Sequence, residues 1–479
     1  MRLPAFLAAS VLLPLTATMA APVTPEAQPL ADRYMEFLDR CRTEVEATDF
    51  IREAAEDAGF RNLESIQEPL QPGSKVYLQN HDRAIILAVT GRRPIADGLH
   101  LVATHIDSPR LDLKAQPVYD SQGFFLLQTH TYGGIKRYQW VNTPLQLHGV
   151  WYDPDGRRHH VIIGDDPGEP TFLIPDLEPH LSRNLNERSA ADAIGAEEVD
   201  PIVGMVTSTA RPWNKPDAEP APEAPKDEFL AMLRPYLGGA DLSPTAIATG
   251  EFHLVPATEP RYLGLDRSMI AAYGQDDRSN AYCAVRALLD MDGVPEYAAL
   301  GYHVGQEEIG SGNNTGAAST FLTATIARLL EHDPRSPVSF GDNLVRRTLT
   351  RSWVLSADTP PAVNPIYSDV WEHGNSLKLG QGVGVIKWGA GRDANPEYFA
   401  KVAAILDGAG VRWQVAPLGR NGAGGGGTIG GFMSEEGMEV LDLGITLLSM
   451  HSPYEVCSVN DLWEGYRAFA AFYACDRRF

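Results

Sequence analysis

The chain has 479 residues, of which 62 are acidic and 40 are basic, so its formal net charge is −22. This acidic balance argues against binding to nucleic acids or to anionic membrane surfaces, since both require basic patches. A hydrophobic content of 44% and a charged content of 21% are ordinary for globular proteins. The length suits two large domains or about three smaller ones.

The N-terminal residues have the pattern of a secretory signal peptide. A short basic start, Met1–Arg2, precedes the apolar run Leu3–Leu15 and small residues that extend to Ala21. We therefore predict a signal peptide at residues 1–21 and an exported protein, either periplasmic or secreted. A buried N-terminal helix is the alternative. No later segment is long and apolar enough to predict a membrane span.

The next part of the chain combines a predicted helix with predicted strands. Apolar residues at helical spacing indicate an amphipathic helix within residues 31–58. Apolar runs predict strands at Lys75–Leu78, Ala84–Val89 and Leu101–Ala103. The last of these strands leads to His105, and Asp107 follows two residues later. A carboxylate commonly orients a histidine ligand, although a His-x-Asp sequence is as often a simple turn.

Residues 115–267 differ in character from the segments on either side. Short β-rich runs at 124–131, 145–152 and 159–163 are separated by Gly, Pro and Asp turns, which predicts strands. Residues 209–226 are rich in Pro, Ala and acidic residues and predict an exposed loop. We interpret this block as a β-rich domain of its own.

Further along the chain, acidic and imidazole side chains stand where predicted strands end or a predicted helix begins. Together with His105, these residues are Asp276, Glu307, Glu308, Asp358 and His451. The carboxyl ends of strands in open α/β sheets are where ligands bind. Each residue also has an ordinary explanation, because glutamates are mostly solvated and acidic residues complement a helix N-terminus.

Two histidines and three carboxylates suit a pair of divalent ions, and zinc accepts both ligand types. The candidate ligands are His105, Asp276, Glu308, Asp358 and His451. Two metals about 3.5–4 Å apart are a known device for hydrolysis. Neighbouring residues of an extended chain point in opposite directions, so Glu307 would face a water as its general base while Glu308 binds metal. The residue types leave open whether all five belong to one site.

Several segments resemble the aspartyl aminopeptidase family of metallopeptidases, in the same order and over most of the chain after about residue 30. They are His105–Pro109, Gly274–Arg278, Gln306–Ser311 with Gly316–Leu322, Ser356–Asp358, Gly427–Gly430 and Met450–Ser452. The resemblance implies one ion on Asp276, Glu308 and His451, and a second on His105, Asp276 and Asp358. Asp276 would bridge two Zn²⁺ ions, with Co²⁺ or Mn²⁺ as alternatives, and Glu307 would be the base.

The same resemblance implies an α/β fold with an α/β/α sandwich catalytic domain, formed by residues 22–114 and 268–479. The β-rich block at 115–267 would be an inserted dimerisation domain, in a homo-oligomer that is typically a dodecamer built from dimers. His180 matches a histidine that reaches a neighbouring subunit's site, although a surface histidine is the alternative. Lys387 matches a lysine that lines the substrate pocket, where an acidic side chain would pair with it.

The predicted function is a metal-dependent aminopeptidase that acts on short peptides, with Asp and Glu as candidate N-terminal residues. After Asp358 the chain reads Thr-Pro-Pro-Ala-Val-Asn, where many family members have Met-Ala-His-Ala-Val-His, and this leaves the acidic preference open. One alternative is a deacylase or carboxypeptidase, in which Lys387 or Arg278 binds a free carboxylate. Another is a non-catalytic exported protein that binds peptides or metal, but Glu307 argues against it because a binding protein needs no base.

Overall fold

The structure is a computed structural model, and it describes residues 23–205, 225–337, 341–387, 393–420 and 425–477. The predicted signal peptide at residues 1–21 and most of the predicted loop at 209–226 lie outside these residues. Within the described part of the chain, no helix is both long enough and apolar enough to cross a membrane.

The described residues form helices and strands that alternate along much of the chain. The helices are α1 (Ala27–Arg40), α2 (Glu44–Asp57), α3 (Arg183–Asn186), α4 (Pro225–Leu233), α5 (Pro244–Thr249), α6 (Gln275–Leu289), α7 (Phe321–His332), α8 (Asp342–Leu349), α9 (Pro396–Gly408), α10 (Gly430–Glu435) and α11 (Val459–Tyr473). The strands are β1 (Arg61–Asn62), β2 (Lys75–Asn80), β3 (Ala84–Val89), β4 (Leu99–His105), β5 (Arg110–Ser121), β6 (Phe124–Tyr132), β7 (Leu145–Tyr152), β8 (Arg158–Ile163), β9 (Ile202–Met205), β10 (Glu251–Pro256), β11 (Arg261–Leu263), β12 (Met269–Ala272), β13 (Ala298–Val304), β14 (Trp353–Ser356), β15 (Val383–Ile386), β16 (Trp413–Ala416), β17 (Glu439–Gly444), β18 (Leu447–Leu448) and β19 (Glu455–Ser458).

A nine-stranded sheet forms the centre of the larger part, in the order β1-β2-β3-β13-β4-β14-β17-β15-β16. The middle strands β13, β4, β14 and β17 run parallel, and an antiparallel neighbour flanks them on each side. Strands covered on both faces read as continuous apolar runs, and every residue of β3, β4 and β13 is buried. The parallel direction places the carboxyl ends of the four middle strands at one edge of the sheet.

Helices cover both faces of this sheet. Alternate residues of a strand point to opposite faces. Val102 of β4 accordingly belongs to a core with residues of α1, α2, α6, α9 and α11, whereas Leu101 belongs to a core with residues of α7, α8 and α10. The predicted α/β fold with an α/β/α sandwich is confirmed.

The β-rich part is built on a six-stranded antiparallel sheet of order β8-β7-β10-β5-β6-β9. It has a core of its own, which includes Trp140, Trp151 and Phe252. The sheet starts at Arg110 of β5, before the predicted domain start at residue 115, and β11 already pairs with β12 in a separate small sheet. The division into 22–114, 115–267 and 268–479 stays a prediction.

A buried histidine in β4 makes the core sensitive to acid. His100 is 3% exposed. Its ring stacks on Trp353 with centroids 5.2 Å apart and also lies near Tyr297 and Phe472. Burial lowers the pKa of His100 to about 4. The folded state therefore keeps this ring neutral in a pH range where the unfolded chain protonates it.

We expect His100→Phe to reduce the loss of stability between pH 6.5 and pH 4. In the wild type, stability falls as the pH drops below the unfolded pKa of about 6.5, because only the unfolded state gains the proton. A shift from 6.5 to about 4 corresponds to about 3 kcal/mol, at about 1.4 kcal/mol for each pKa unit. Urea unfolding midpoints of both proteins across this pH range measure the difference, and parallel curves would contradict the assignment.

Candidate metal centre

The five predicted metal ligands come together at the carboxyl edge of the nine-stranded sheet. His105 ends β4, Glu308 lies in the turn after β13, and Asp358 follows β14. Asp276 lies in the first turn of α6, and His451 lies between β18 and β19. Because β4, β13 and β14 are parallel neighbours, the first three residues emerge from the same edge.

The carboxylate of Asp276 lies between the two histidine rings. Its Oδ1 is 3.3 Å from Nε2 of His105, and its Oδ2 is 3.2 Å from Nε2 of His451. Asp358 adds an oxygen 3.9 Å from Nε2 of His105, and Glu308 adds an oxygen 3.3 Å from Nε2 of His451. The cluster thus has two halves that share Asp276, each with one histidine and one further carboxylate.

Asp107 organises the His105 half of the cluster from behind. Nδ1 of His105 donates to the main-chain oxygen of Asp107 at 3.1 Å, and the Asp107 carboxylate lies 3.4 Å from the same atom. That carboxylate accepts hydrogen bonds from the backbone N–H groups of Glu307 and Glu308 at 3.2 and 3.1 Å, and from the Tyr132 hydroxyl at 2.8 Å. Asp107 therefore has the orienting position predicted for it, but its main-chain oxygen makes the closest contact with the ring.

Two hydrogen bonds hold His451 in place, one from its ring and one from its backbone N–H. Its Nδ1 donates to the carbonyl oxygen of Gly134 at 2.7 Å, and its backbone N–H donates to Oε1 of Glu455 at 2.7 Å. The other oxygen of Glu455 accepts from the backbone N–H groups of Gln275 and Asp276 at 2.6 and 3.1 Å. Glu455 thus links the histidine to the helix start that carries the shared carboxylate.

Sequence reasoning missed three of these supporting residues: Tyr132, Gly134 and Glu455. Glu455 lies in a buried strand, and a buried glutamate requires partners, so its strand position was a usable signal. Tyr132 closes an ordinary amphipathic strand, and Gly134 contributes only a carbonyl oxygen that every residue type possesses. Neither has a side-chain pattern that points to the cluster.

Asp277 lies next to the cluster, but its carboxylate is engaged elsewhere. It accepts hydrogen bonds from the backbone N–H of His105 at 3.2 Å and from the side-chain amide of Asn280 at 2.6 Å. Asn280 in turn accepts from the backbone N–H of Ile445. Asp277 therefore joins β4 to α6 and the chain after β17.

A second grouping of possible ligands, Glu44, Glu251 and His253, lies near the β-rich sheet. Arg110 binds Glu44 through two hydrogen bonds of 2.8 and 3.1 Å, and Arg83 contacts Glu251 at 2.5 Å. The two guanidinium groups supply the counter-charge that a cation would otherwise provide. We therefore place no metal there.

The buried charges of the cluster shift the pKa values of its members. Burial lowers the pKa of His105, but the neighbouring carboxylates of Asp107 and Asp276 outweigh burial and raise this pKa well above its ordinary value. For His451, Asp276 and Glu308 likewise outweigh burial and raise the pKa to about 10. Burial and the charge of Asp276 raise the pKa of Glu308 well above its ordinary range. The crowded carboxylates therefore favour bound positive charge, whether as protons or as cations.

The histidine tautomers fit metal ions. A carbonyl oxygen can only accept, so Nδ1 carries the hydrogen in both His105 and His451. In the neutral ring, the lone pair of Nε2 then faces the Asp276 carboxylate, which has no hydrogen to donate. Among the described residues, the buried atoms Oδ1 of Asp276 and Oε1 of Glu308 also have no hydrogen-bond partner. Cations between these nitrogen and oxygen atoms would satisfy them all, and the donor set is one that zinc prefers.

A cavity of about 480 Å³ opens beside the cluster. Glu307 borders it together with the five candidate ligands. Much of the remaining described lining is apolar and includes Pro360, Pro361, Val370, Trp371, Ile386, Leu418, Leu443 and Met450. An apolar wall beside a few convergent polar groups is typical of a site for a small organic substrate.

Three other predicted residues are not among the described residues that line the cavity. His180 is exposed in a turn before α3 of the β-rich part. Lys387 follows β15 and is exposed rather than buried in the strand, although its neighbour Ile386 borders the cavity. Arg278 is fully buried and donates to the main-chain oxygens of residues 41, 42 and 106, so it does not face the cavity.

Comparison with known proteins shows the family to which the chain belongs. The family described as "Aminopeptidase I zinc metalloprotease (M18)" matches residues 37–473. "Probable M18 family aminopeptidase 1" of Clostridium acetobutylicum is 37% identical over 453 residues, which cover 92% of this chain and 94% of the relative. The protein of the same description from Thermotoga maritima is 38% identical over 451 residues, covering 93% and 95%.

Solved structures give the same result. An M18 aminopeptidase from Thermotoga maritima has a TM-score of 0.84 and 36% identity, with 94% of this chain and 96% of that chain covered. Aminopeptidase I from Clostridium acetobutylicum has a TM-score of 0.82 and 35% identity, covering 93% and 95%. The S. cerevisiae mApe1 dodecamer, at 20% identity and a TM-score of 0.73, shares the fold and covers 94% and 97%.

The fold and the carboxylate–imidazole cluster define a metallopeptidase of the α/β class. The chain belongs to the M18 family of zinc metalloproteases, and it is an aminopeptidase that hydrolyses peptide bonds. The predicted family is thus confirmed, and the non-catalytic alternative is not favoured.

The prediction of an exported protein is wrong. The comparisons with M18 aminopeptidases do not support a signal peptide or an exported protein. The prediction rested on an apolar run followed by small residues, which is a short compositional pattern that other N-terminal segments share.

Two substitutions distinguish the contributions of the two halves of the cluster to zinc binding. We expect Asp276→Asn to weaken zinc binding in both halves, because its two oxygens face both histidines. We expect Asp358→Asn to weaken only the half with His105. Zinc content after dialysis, measured by elemental analysis, should fall to near zero in the first variant and to about half in the second. Equal zinc content in the two variants would contradict the shared role of Asp276.

Proposed function

We propose that this M18 aminopeptidase removes single N-terminal residues from short peptides, with two divalent ions at the cluster and Glu307 as general base. The observation that carries the proposal is the buried Asp276 carboxylate between two histidine Nε2 atoms, each with a further carboxylate beside it. One half of the cluster serves one ion, and the other half serves the second.

The proposed ligands are Asp276, Glu308 and His451 for one ion, and His105, Asp276 and Asp358 for the other. Zn²⁺ is the expected metal, in keeping with the family description. When bound, the ions polarise the scissile carbonyl and make water a better nucleophile near neutral pH. Three of the five ligands, His105, Glu308 and Asp358, end or follow parallel strands of the nine-stranded sheet, so the sheet edge sets their spacing.

Glu307 is positioned to move a proton. Its side chain borders the cavity, and its backbone N–H is held by the Asp107 carboxylate at 3.2 Å. The neighbouring residue, Glu308, contacts His451. Glu307 would take a proton from the attacking water and pass it to the leaving amine nitrogen.

The described cavity argues against a deacylase or carboxypeptidase. Such an enzyme needs a basic group for a free substrate carboxylate, but none of the described residues that border the cavity is Lys or Arg. Of the two sequence candidates for this role, Arg278 is buried against three main-chain oxygens, and Lys387 lies just outside the described lining. The carboxylates of the cluster instead suit the positively charged α-amino group at the N-terminus of a peptide.

The exposed surface around His180 supports a homo-oligomer. Leu177 and Leu181, on either side of His180, are 41% and 66% exposed. Exposed apolar side chains that are close in the sequence are compatible with a surface that another chain covers. We propose that a second copy covers it, in a dodecamer like that of S. cerevisiae mApe1.

We expect Glu307→Gln to lose about 10²–10⁴-fold in kcat, which is the usual contribution of a general base. Zinc content and thermal stability should remain those of the wild type, because Glu307 is not a proposed ligand. Aminoacyl chromogenic substrates measure turnover, and N-acetylated versions with and without a chelator test whether a free amine and metal are needed. Glu331→Gln, on the exposed side of α7, is the control. Near-wild-type turnover of Glu307→Gln would remove it as the base.

A preference for acidic N-termini depends on Lys387. The described lining is largely apolar, so a charged substrate side chain needs a counter-charge, and Lys387 follows the lining residue Ile386. We expect Lys387→Ala to lower kcat/KM for Asp substrates about tenfold more than for Leu substrates, and Lys378→Ala, another exposed lysine, to lower neither. An unchanged Asp/Leu ratio would show that Lys387 does not select the substrate.

A further inference from the structure

Three consecutive residues of the β-rich part lie against the cluster of candidate ligands or against Asp107 behind it. Tyr132 is the last residue of β6, and Gly133 and Gly134 follow it. The strand belongs to the six-stranded sheet, whereas all five candidate ligands belong to the other part of the chain. Tyr132 contacts Asp107 behind the His105 half, and Gly133 and Gly134 lie against the His451 half.

Tyr132 acts on the His105 half. Its hydroxyl donates to Oδ2 of Asp107 at 2.8 Å, and the residue is 6% exposed. The same carboxylate holds the backbone N–H groups of Glu307 and Glu308. The phenol thus completes the set of donors that fixes Asp107, and through Asp107 it reaches His105 and the glutamate turn.

Gly133 and Gly134 act on the His451 half. The Gly134 carbonyl accepts from Nδ1 of His451 at 2.7 Å, and this contact sets the tautomer that leaves Nε2 free for metal. Gly133 has φ +73°, and a Cβ there would lie 3.2 Å from Cβ of Glu308 and 3.3 Å from Pro109. The absence of a side chain at Gly133 lets the strand end lie directly against Glu308.

Arg110 anchors the segment Tyr132–Gly134, because it contacts both Tyr132 and Glu44 of α2. The Arg110 guanidinium lies 3.9 Å from the centre of the Tyr132 ring, and the two residues are register partners on β5 and β6. Arg110 also forms two hydrogen bonds with Glu44 of α2, at 2.8 and 3.1 Å. Both charged groups are buried, so this pair ties β5 and β6 rigidly to the helical layer.

We propose that the segment Tyr132–Gly134 is a positioning element, by which the β-rich part holds both histidines and Glu308 in their metal-binding geometry. The β-rich part therefore contributes to zinc affinity as well as to any contact between subunits. This inference rests on the proposed ligand roles of His105, Glu308 and His451. The three residues themselves bind no metal and are positioning residues.

The test compares zinc affinity in conservative variants. Tyr132→Phe keeps the ring beneath Arg110 and removes only the hydroxyl, and we expect its zinc Kd to rise 10–100-fold, the usual effect of losing an outer hydrogen bond at a metal site. Excess zinc should restore its kcat, and KM for the peptide should stay unchanged. Tyr119→Phe is the matched control, because Tyr119 in the same sheet donates to the Asp200 carboxylate at 2.9 Å and should leave zinc affinity unchanged.

A glycine pair provides an independent second test. We expect Gly133→Ala to weaken zinc binding at least tenfold, because the new methyl group presses on Glu308. Gly123→Ala has a similar backbone conformation, φ +85°, but no atom lies within 4 Å of the added Cβ. It therefore reproduces the backbone strain without the contact, and zinc affinity should be kept.

Competition with a chromogenic chelator measures zinc Kd for the wild type and the four variants, and Asp276→Asn is included as a check of the ligands. Wild-type affinity in both Tyr132→Phe and Gly133→Ala, with binding lost in Asp276→Asn, would overturn the positioning role alone. Unchanged binding in Asp276→Asn would instead overturn the proposed ligand set. If the controls Tyr119→Phe and Gly123→Ala weaken zinc binding as much as Tyr132→Phe and Gly133→Ala do, the effect is general destabilisation. The positioning role then fails.

Discussion

The site depends on one electrostatic constraint: a buried carboxylate, Asp276, faces the Nε2 atoms of two imidazole rings, and positive charge must stand between them as protons or as metal ions. The ring hydrogens of His105 and His451 are committed to main-chain oxygens on their far sides. Further carboxylates, from Glu308 and Asp358, add negative charge to the same place. Such a group is costly to bury without positive charge, and metal ions bound between the nitrogen and oxygen atoms remove that cost.

The fold meets this constraint by combining two kinds of element. Parallel strands bring distant segments of the chain to one edge of the sheet, which is why His105, Glu308 and Asp358 meet there. The orienting contacts come from elsewhere, with Asp107 after β4, Glu455 in β19 and the end of β6 in the β-rich part. The buried hydrogen bonds between Arg110 and Glu44 join the two parts of the protein, so both parts hold the ligands in place.

Much of the fold and the candidate ligands could be predicted from the sequence. The apolar runs of β3, β4 and β13 identify buried strands, and polar residues at their ends stand out because the interior excludes unpaired charge. The assignment of five residues to one site needed the family resemblance, because spacing alone carries no information on which strand ends become neighbours.

The remaining features had no local pattern to reveal them. The contact of His451 with Gly134 joins residues 317 positions apart and uses a main-chain oxygen. The burial of Arg278 depends on the packing of α6 against the chain before α2 and after β4. Lys387 lies just beyond β15, which ends at Ile386. The export prediction failed because composition near an N-terminus specifies a destination only weakly.

Anomalous diffraction at the zinc edge, on crystals of the purified protein, would test the central claim most directly. The account predicts two anomalous peaks in each subunit on either side of the Asp276 carboxylate, one near His105 and Asp358 and the other near His451 and Glu308. A single peak would contradict the two-ion arrangement. Zinc bound at another group of side chains, with none at Asp276, would contradict the site itself.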